Sequence, residues 1–286
     1  MRRDVVLLPP ANDLARRLQR IEFWCSPDVA SSVRSCTIYP SEGSWDRGLS
    51  QWAESETPDI LLDALLLRLD RFTGLRKLKV YDIQFTQARV DILHHLPNLH
   101  KLHISDCPVA PGQHIAVSPL TLCITNLALY PKENSHAADE FWYDLVQPDQ
   151  LRVLEAHFRH VRPAASQIPI FPRVHTLRIC ILPEGDNEPS HCFATLSNFP
   201  GVRSLRILAR GLESSQFDAS ALLPVLEEYF GEIEPLPLFL SANSLRRVQI
   251  CKVRPEHLIA LTQFRGGHGH KITALCRGMD SNHKLL

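Results

Sequence analysis

The apolar positions of this chain recur in one short pattern: an aliphatic residue, two variable ones, a second aliphatic, one variable residue and a third aliphatic. The run Leu96-Pro97-Asn98-Leu99-His100-Lys101-Leu102-His103-Ile104 superposes on Phe171-Pro172-Arg173-Val174-His175-Thr176-Leu177-Arg178-Ile179 and on Phe199-Pro200-Gly201-Val202-Arg203-Ser204-Leu205-Arg206-Ile207. Phe72 to Val80 repeats it with Thr73 in the proline position. Weaker copies are Ile124/Leu127/Leu129, Leu151/Leu154/Ala156, Leu223 to Tyr229 and Leu245/Val248/Ile250, and Val33/Cys36/Ile38 adds one at the front. From Leu78 onward the middle aliphatic returns about every 24 residues, a period that signifies stacked supersecondary units. The proline has a reason. It cannot continue a preceding helix, and it pushes the residue before it into extended geometry, so each strand is expected to begin at a fixed place.

Between these strands lie helical signals. Thr57-Pro58-Asp59 offers a cap, a proline at the first helical position and an early acid before Ile60, Leu61, Ala64, Leu65 and Leu69, which predicts a helix over about 57 to 70. Thr86 opens a shorter one through Ile92 and Leu93; Ala137 to Val146 and Ser190 to Leu196 read alike, and Asp218 and Pro255 start two more. Loops fall at 131–136, 160–170, 182–190 and 231–242. Strand and helix in alternation predict α/β structure with a parallel sheet. The period and the LxxLxL strand signature are those of leucine-rich repeats. The expected architecture is therefore an irregular leucine-rich-repeat solenoid, a curved parallel sheet with helices on the convex side. It divides into an N-terminal capping segment (1–32), the repeat array (33–252), and a C-terminal helix near 255–264 with a flexible tail (253–286).

The phrases around Phe72 to Val80, Leu96 to Cys107 and Phe171 to Ile179, with Ser31 to Pro40 near the front, resemble the repeat half of fungal F-box proteins, particularly those of basidiomycetes. The resemblance covers roughly residues 30 to 252 and rests on a degenerate pattern. It implies a substrate receptor of a cullin ubiquitin ligase, in which an N-terminal F-box docks the Skp1 adaptor while the repeats hold the substrate. Leu8-Pro9-Pro10-Ala11-Asn12-Asp13-Leu14 is a remnant of the motif that opens an F-box, so Skp1 is an expected partner only if an F-box lies upstream. The alternative is a stand-alone repeat scaffold or regulator with the same binding surface.

In LxxLxL the second and third aliphatics point inward, so the residues flanking them alternate onto the concave face. That reading gives Lys77, Lys79, Tyr81, Lys101, His103, Tyr130, His157, Arg178, Arg206 and Arg247 as the candidate partner-binding surface, with the acids Glu155, Glu228 and Glu232 among them. Cations beside aromatics suit an acidic or phosphorylated segment of a protein partner.

Composition narrows the chemistry. The chain has 286 residues, 42 of them leucine, and 31 Lys+Arg balance 31 Asp+Glu. A net charge of zero with no basic run predicts no nucleic-acid partner. The most apolar stretch, Ile60 to Leu69, contains Asp63 and Arg68 and falls well short of the roughly 20 residues a membrane span needs. The start has too few apolar residues before Pro9 for a secretory signal, so the expected location is cytoplasmic or nuclear. Eight scattered cysteines form no CxxC pair and are expected to be reduced, several of them buried. His100/His103 and His157/His160 have HxxH spacing without an acidic partner, and Gly266 to His270 with Cys276 offers an incomplete ligand set, so no metal or cofactor is expected. His94-His95 closes a short helix, where the dipole favours cations. No nucleophile elbow, phosphate loop or paired carboxylate appears, and the protein is expected not to be an enzyme.

Overall fold

The computed structural model describes residues 3–7, 14–39, 57–109, 121–130, 137–158, 168–181, 193, 195–209, 222–240, 244–251 and 271–272. The chain forms two compact units, Met1–Gln147 and Pro148–Leu286. The first holds strands β1 (Arg3–Leu7), β2 (Val33–Ile38), β3 (Lys77–Tyr81), β4 (Lys101–Ser105) and β5 (Asn126–Tyr130). Each pairs in parallel with the next in chain order. The second holds β6 (Val153–Phe158), β7 (Thr176–Ile181), β8 (Ser204–Ala209), β9 (Glu228–Gly231), β10 (Arg247–Ile250) and β11 (Lys271–Ile272), again parallel and in order. Helices α1 (Leu14–Trp24), α2 (Pro27–Ala30), α3 (Thr57–Leu66), α4 (Gln87–His94) and α5 (Ala137–Asp144) lie between and after the strands of the first unit. The class is α/β with a parallel sheet, as the alternation predicts.

Register explains the leucines. In the first unit Cys36, Leu78, Leu102 and Leu127 stand side by side, followed by Ile38, Val80, Ile104 and Leu129. In the second the rows are Leu154, Leu177, Leu205, Tyr229 and Val248, then Ala156, Ile179, Ile207, Gly231 and Ile250. Every hydrophobic side chain in these rows is buried. One rung cannot bury its own aliphatic stripe, but a neighbour on each side can, and each enclosed large side chain contributes about 1.5–3 kcal/mol. Where Tyr229 replaces a leucine, Gly231 follows, and a Cβ there would lie 2.8 Å from the Tyr229 hydroxyl. The large ring occupies the room left by the missing side chain, and its hydroxyl donates to the Glu232 carbonyl at 2.6 Å.

The strands after Pro97, Pro172, Pro200 and Pro224 begin at one fixed offset, as expected, and the prolines have a further role in the turn. In the quartets Phe72–Leu75, Leu96–Leu99, Phe171–Val174, Phe199–Val202 and Leu223–Leu226 the last N–H donates to the first carbonyl at 2.8 to 3.3 Å. Pro97, Pro172, Pro200 and Pro224 thus occupy the second position of a β-turn, where a fixed φ is favourable and no N–H is needed. The third turn position touches the preceding rung. Asn98 donates from Nδ2 to the Thr73 carbonyl at 2.7 Å; Ser244, just before Leu245, likewise donates from Oγ to the Pro224 carbonyl at 3.2 Å. At Gly201 the backbone comes so near the Pro172 carbonyl that a Cβ would collide with it.

The helices of the first unit bury Leu62, Leu65 and Leu66 of α3, Val90 and Leu93 of α4, and Trp142 and Tyr143 of α5. Trp142 meets Phe85 edge-on at 4.8 Å. Thr86 caps α4 by accepting from the Arg89 N–H, and the Arg89 guanidinium pairs with Asp63 of α3 at 2.8 Å. The expected helix beginning at Ser190 is represented among the described residues by a 3-10 turn, Thr195–Asn198, and the expected loop 231–242 contains another, Leu236–Phe239. Both bury apolar residues as the longer helices do. The segment expected only to cap the array contributes β1, and the expected tail contributes β11. The helices expected from Asp218 and Pro255 lie outside the described residues. At the ends of β3 and β4, Asp82 and Asp106 adopt left-handed φ of 50° and 56°, which aspartate tolerates better than most residues. Their N–H groups donate to the Ser105 and Tyr130 carbonyls.

The close approach at Gly201 carries a prediction. Gly201→Ala should lower the urea midpoint with an unchanged m-value, at a cost of about 1–3 kcal/mol for overpacking against backbone. Arg173→Ala, at the same turn position one rung earlier but exposed, should stay within about 0.5 kcal/mol.

Candidate functional site

Burial alternates along β3, β4 and β5, with Leu78/Val80, Leu102/Ile104 and Leu127/Leu129 sealed and their flanking residues wholly or half exposed. Strand geometry therefore places Lys77, Lys79, Tyr81, Lys101, His103 and Tyr130 together on one face of the first unit. Lys77 is in direct register with Lys101, Lys79 with His103, and Tyr81 with Ser105 and then Tyr130. Lys101 is exposed and Lys79 half-buried.

A row of rings crosses this face. Tyr39 stacks on Tyr81 at 4.5 Å with 17° between planes; His103 lies 5.0 Å from Tyr81 and 4.9 Å from Tyr130. Tyr39 and Tyr81 stack, while His103 meets Tyr81 and Tyr130 tilted, at 44° and 34°. The Tyr81 hydroxyl is held protonated far beyond the ordinary tyrosine range, by burial first and then by Tyr39 beside it. It remains a hydrogen-bond donor at any physiological pH. Tyr39 is absent from the residues expected on this face. Its signal is nevertheless in the sequence, because Tyr39 follows Ile38 at the same offset as Tyr81 follows Val80 and Tyr130 follows Leu129.

The second unit gathers His157, Arg178, Arg206 and Arg247 on its own strand face, but their charges are differently used. Arg178 stands in register with Glu155 and pairs with it at 3.4 Å; Arg247 stands in register with Glu228 and pairs at 2.7 Å. Arg206, in register with Phe230, lays its guanidinium 4.6 Å from that ring's centre. His157 is half-buried in register with Cys180, itself half-buried. The surplus of cations over acids counted along the sequence is therefore unevenly available, since two of these three arginines already have carboxylates.

Other tempting groups resolve locally. No three His, Cys, Asp or Glu side chains come together as metal ligands among the described residues, and His160 and the 266–276 cluster lie largely outside them. His94 stands in the last turn of α4, as expected. His94 is half-buried with an unpartnered Nε2, and desolvation lowers its pKa and favours the neutral ring despite Asp91 nearby. His95, which is exposed, hydrogen-bonds the Asp91 carbonyl at 2.8 Å. Cys25, Cys36 and Cys107 are buried, Cys180 and Cys251 half-buried, and Cys123 exposed. No described helix is long and apolar enough to cross a membrane.

No protein-family model matches the chain, and no curated protein matches it either.

Thiol reactivity tests this placement. Burial pushes the Cys36 and Cys107 thiols up to about 12, which removes the reactive thiolate at neutral pH. Native iodoacetamide treatment at pH ~8, just below the ordinary thiol pKa, followed by peptide mass spectrometry should find Cys123 modified and Cys36 and Cys107 untouched until urea is added. Labelling of Cys36 as fast as Cys123 would contradict the burial assigned to the first inner row.

Proposed function

We propose that the chain is a leucine-rich-repeat recognition module, a curved solenoid with its helices on the convex side, whose concave strand face binds an acidic or phosphorylated segment of a protein partner. One observation supports this most. The inner strand rows are sealed with aliphatics while the outer rows keep lysine, tyrosine, histidine and arginine half exposed and in register. A fold that needed only stability would gain nothing from aligning such groups, whereas aromatic and cationic side chains dominate interfaces energetically. The resemblance to F-box proteins makes a substrate receptor of a cullin ubiquitin ligase the reading of choice, intracellular in the cytoplasm or nucleus, without cofactor or catalytic residue. The second reading is a scaffold independent of Skp1. In its favour, Arg3–Leu7, immediately before the motif remnant, already pairs with β2 as a strand of the sheet, so the remnant falls in sequence between two strands and not ahead of the sheet.

Capture of the tagged full chain from its native cells, with quantitative mass spectrometry, tests both. Wild-type protein should retain a defined partner set, and Lys79→Glu/Lys101→Glu/Arg178→Glu should deplete it by about tenfold or more, as loss of centrally placed charged contacts does. Skp1 and a cullin in that set support the ligase reading; a stable set without them supports the scaffold. Equal recovery by the charge-reversed protein contradicts recognition through the strand face.

A further inference from the structure

We propose that Arg178 and Arg206, in register on β7 and β8 of the Pro148–Leu286 unit, form a site for one phosphate monoester on a protein partner, a phosphoserine or phosphothreonine side chain. The proposal deepens the recognition function above and rests on it.

Register builds the site. Glu155, Arg178, Arg206 and Phe230 stand side by side across β6 to β9. Arg178 is drawn to one side, with Nη1 3.4 Å from the Glu155 carboxylate, and Arg206 to the other, with its guanidinium 4.6 Å from the centre of the Phe230 ring. The two heads thus part across a strand spacing of about 4.8 Å and leave an interval between them. Like charges directly opposite one another are unfavourable, and the fold relieves this pair little. Strands β7 and β8 carry no carboxylate. Glu228 of β9 is taken by Arg247 at 2.7 Å, and Glu155 meets Arg178 at a distance longer than a strong charge-assisted bond. Arg206 makes no hydrogen bond or ion pair among the described residues. Its Nε is enclosed and unpartnered, its Nη groups are not enclosed, and the Phe230 ring fixes its plane. A guanidinium stacked by its face keeps its in-plane N–H donors for a ligand.

The pair selects among anions. One arginine fork already engages both oxygens of a carboxylate, so two adjacent forks offer more than a single Asp or Glu side chain can use. A phosphate monoester presents three strong acceptor oxygens and a charge of about −1.5 to −2 at neutral pH, which two guanidiniums can share. The surroundings select its carrier. Thr176 with Ser204 before the pair, and Cys180 with Leu208 after it, are uncharged neighbours in register. Leu208 and Phe230 are apolar and half-exposed. Beside the anion, therefore, the face accepts a neutral or apolar stretch of chain, which a phosphorylated peptide supplies and a bare phosphate ion does not.

The test uses the full chain and a labelled Gly/Ala decapeptide with one central phosphoserine, in fluorescence anisotropy, beside the same peptide with serine or glutamate at that position. The phosphopeptide should bind about tenfold more tightly than the Glu peptide, and the Ser peptide should not bind. Binding should weaken as pH falls from about 7.5 to 5.5, because the phosphate loses its second charge near pH ~6. Arg206→Gln and Arg206→Lys should each weaken it by about tenfold, since lysine keeps the charge but not the fork. Phe230→Leu should weaken it by about threefold, and Glu155→Gln should tighten it by about twofold by releasing Arg178. Arg173→Gln, an exposed turn arginine of the same unit, should stay within about twofold. Circular dichroism of each variant establishes that it is folded, and Arg206→Lys carries the test if Arg206→Gln is not. Equal binding of the Ser or Glu peptide overturns the proposal, as does unchanged binding by folded Arg206→Lys and Arg206→Gln. Inorganic phosphate that displaces the labelled peptide at as low a concentration as unlabelled phosphopeptide does overturns the peptide as carrier. If a native partner is captured but the phosphopeptide is ignored, this inference fails while the recognition function stands. If the phosphopeptide binds but no native partner is captured, the recognition function fails while the phosphate preference of the arginine pair stands.

Discussion

The structure depends on a hydrogen bond repeated where each strand begins. The carbonyls of Arg76 and His100 in the first unit, and of Arg152, His175, Arg203 and Glu227 in the second, each accept from two consecutive N–H groups of the following rung at 2.8 to 3.3 Å. A parallel sheet in which chain neighbours are also spatial neighbours must satisfy these groups at every rung, because buried backbone left unpaired costs about as much as a lost hydrogen bond. The doubled acceptor fixes the register of one rung on the next, and register decides everything displayed beyond it. It brings Leu78 beside Leu102, Lys77 beside Lys101 and Arg178 beside Glu155. The turn just upstream is its support. A β-turn ending at the first aliphatic delivers the chain to the acceptor, and Asn98, Ser244 and the bare backbone of Gly201 are three solutions to the same close approach.

Once register is set, the two faces acquire opposite physical characters. The inner one is held by burial, where losing a single large side chain costs several kcal/mol, on the order of 2–5 for leucine to alanine. The outer one contributes little to stability, since exposed ion pairs such as Arg247 with Glu228 are worth about 0–1 kcal/mol. Its composition is therefore free to serve binding. The two units use that freedom differently: the second pairs Arg178 and Arg247 with carboxylates in register, and the outer rows of β2 to β5 in the first carry lysines and rings.

Much of this is legible in the sequence because strand periodicity is rigid. With period two, the aliphatics of LxxLxL identify the inner rows, and the positions between them identify Lys79, His103 and Tyr81 as outward. Helix α4 is readable from its cap, and α3 and α5 from apolar spacing. What escapes depends on three-dimensional neighbours. A proline excludes helix but does not announce a turn position, since both readings require the same fixed φ. The pairing of Arg178 with Glu155 needs strand register, which the uneven loop lengths conceal although equal offsets in the motif suggest it. His94 reads as a cation at a helix end until its burial is known, and Tyr39 is easily passed over because the first rung lacks the leucines that mark the others.

Register comes from the doubled acceptors at the strand starts, and amide hydrogen exchange with residue-level mass spectrometry measures this directly. Under native conditions the N–H groups of Lys101, Asn126, Thr176, Ser204, Glu228 and Arg247 should exchange slowly, together with the one immediately before each. Protected pairs should then recur at the repeat period, with the exposed turn residues between them exchanging fast. Rapid exchange at these pairs, or protection spread without the repeat period, would contradict a register set in this way.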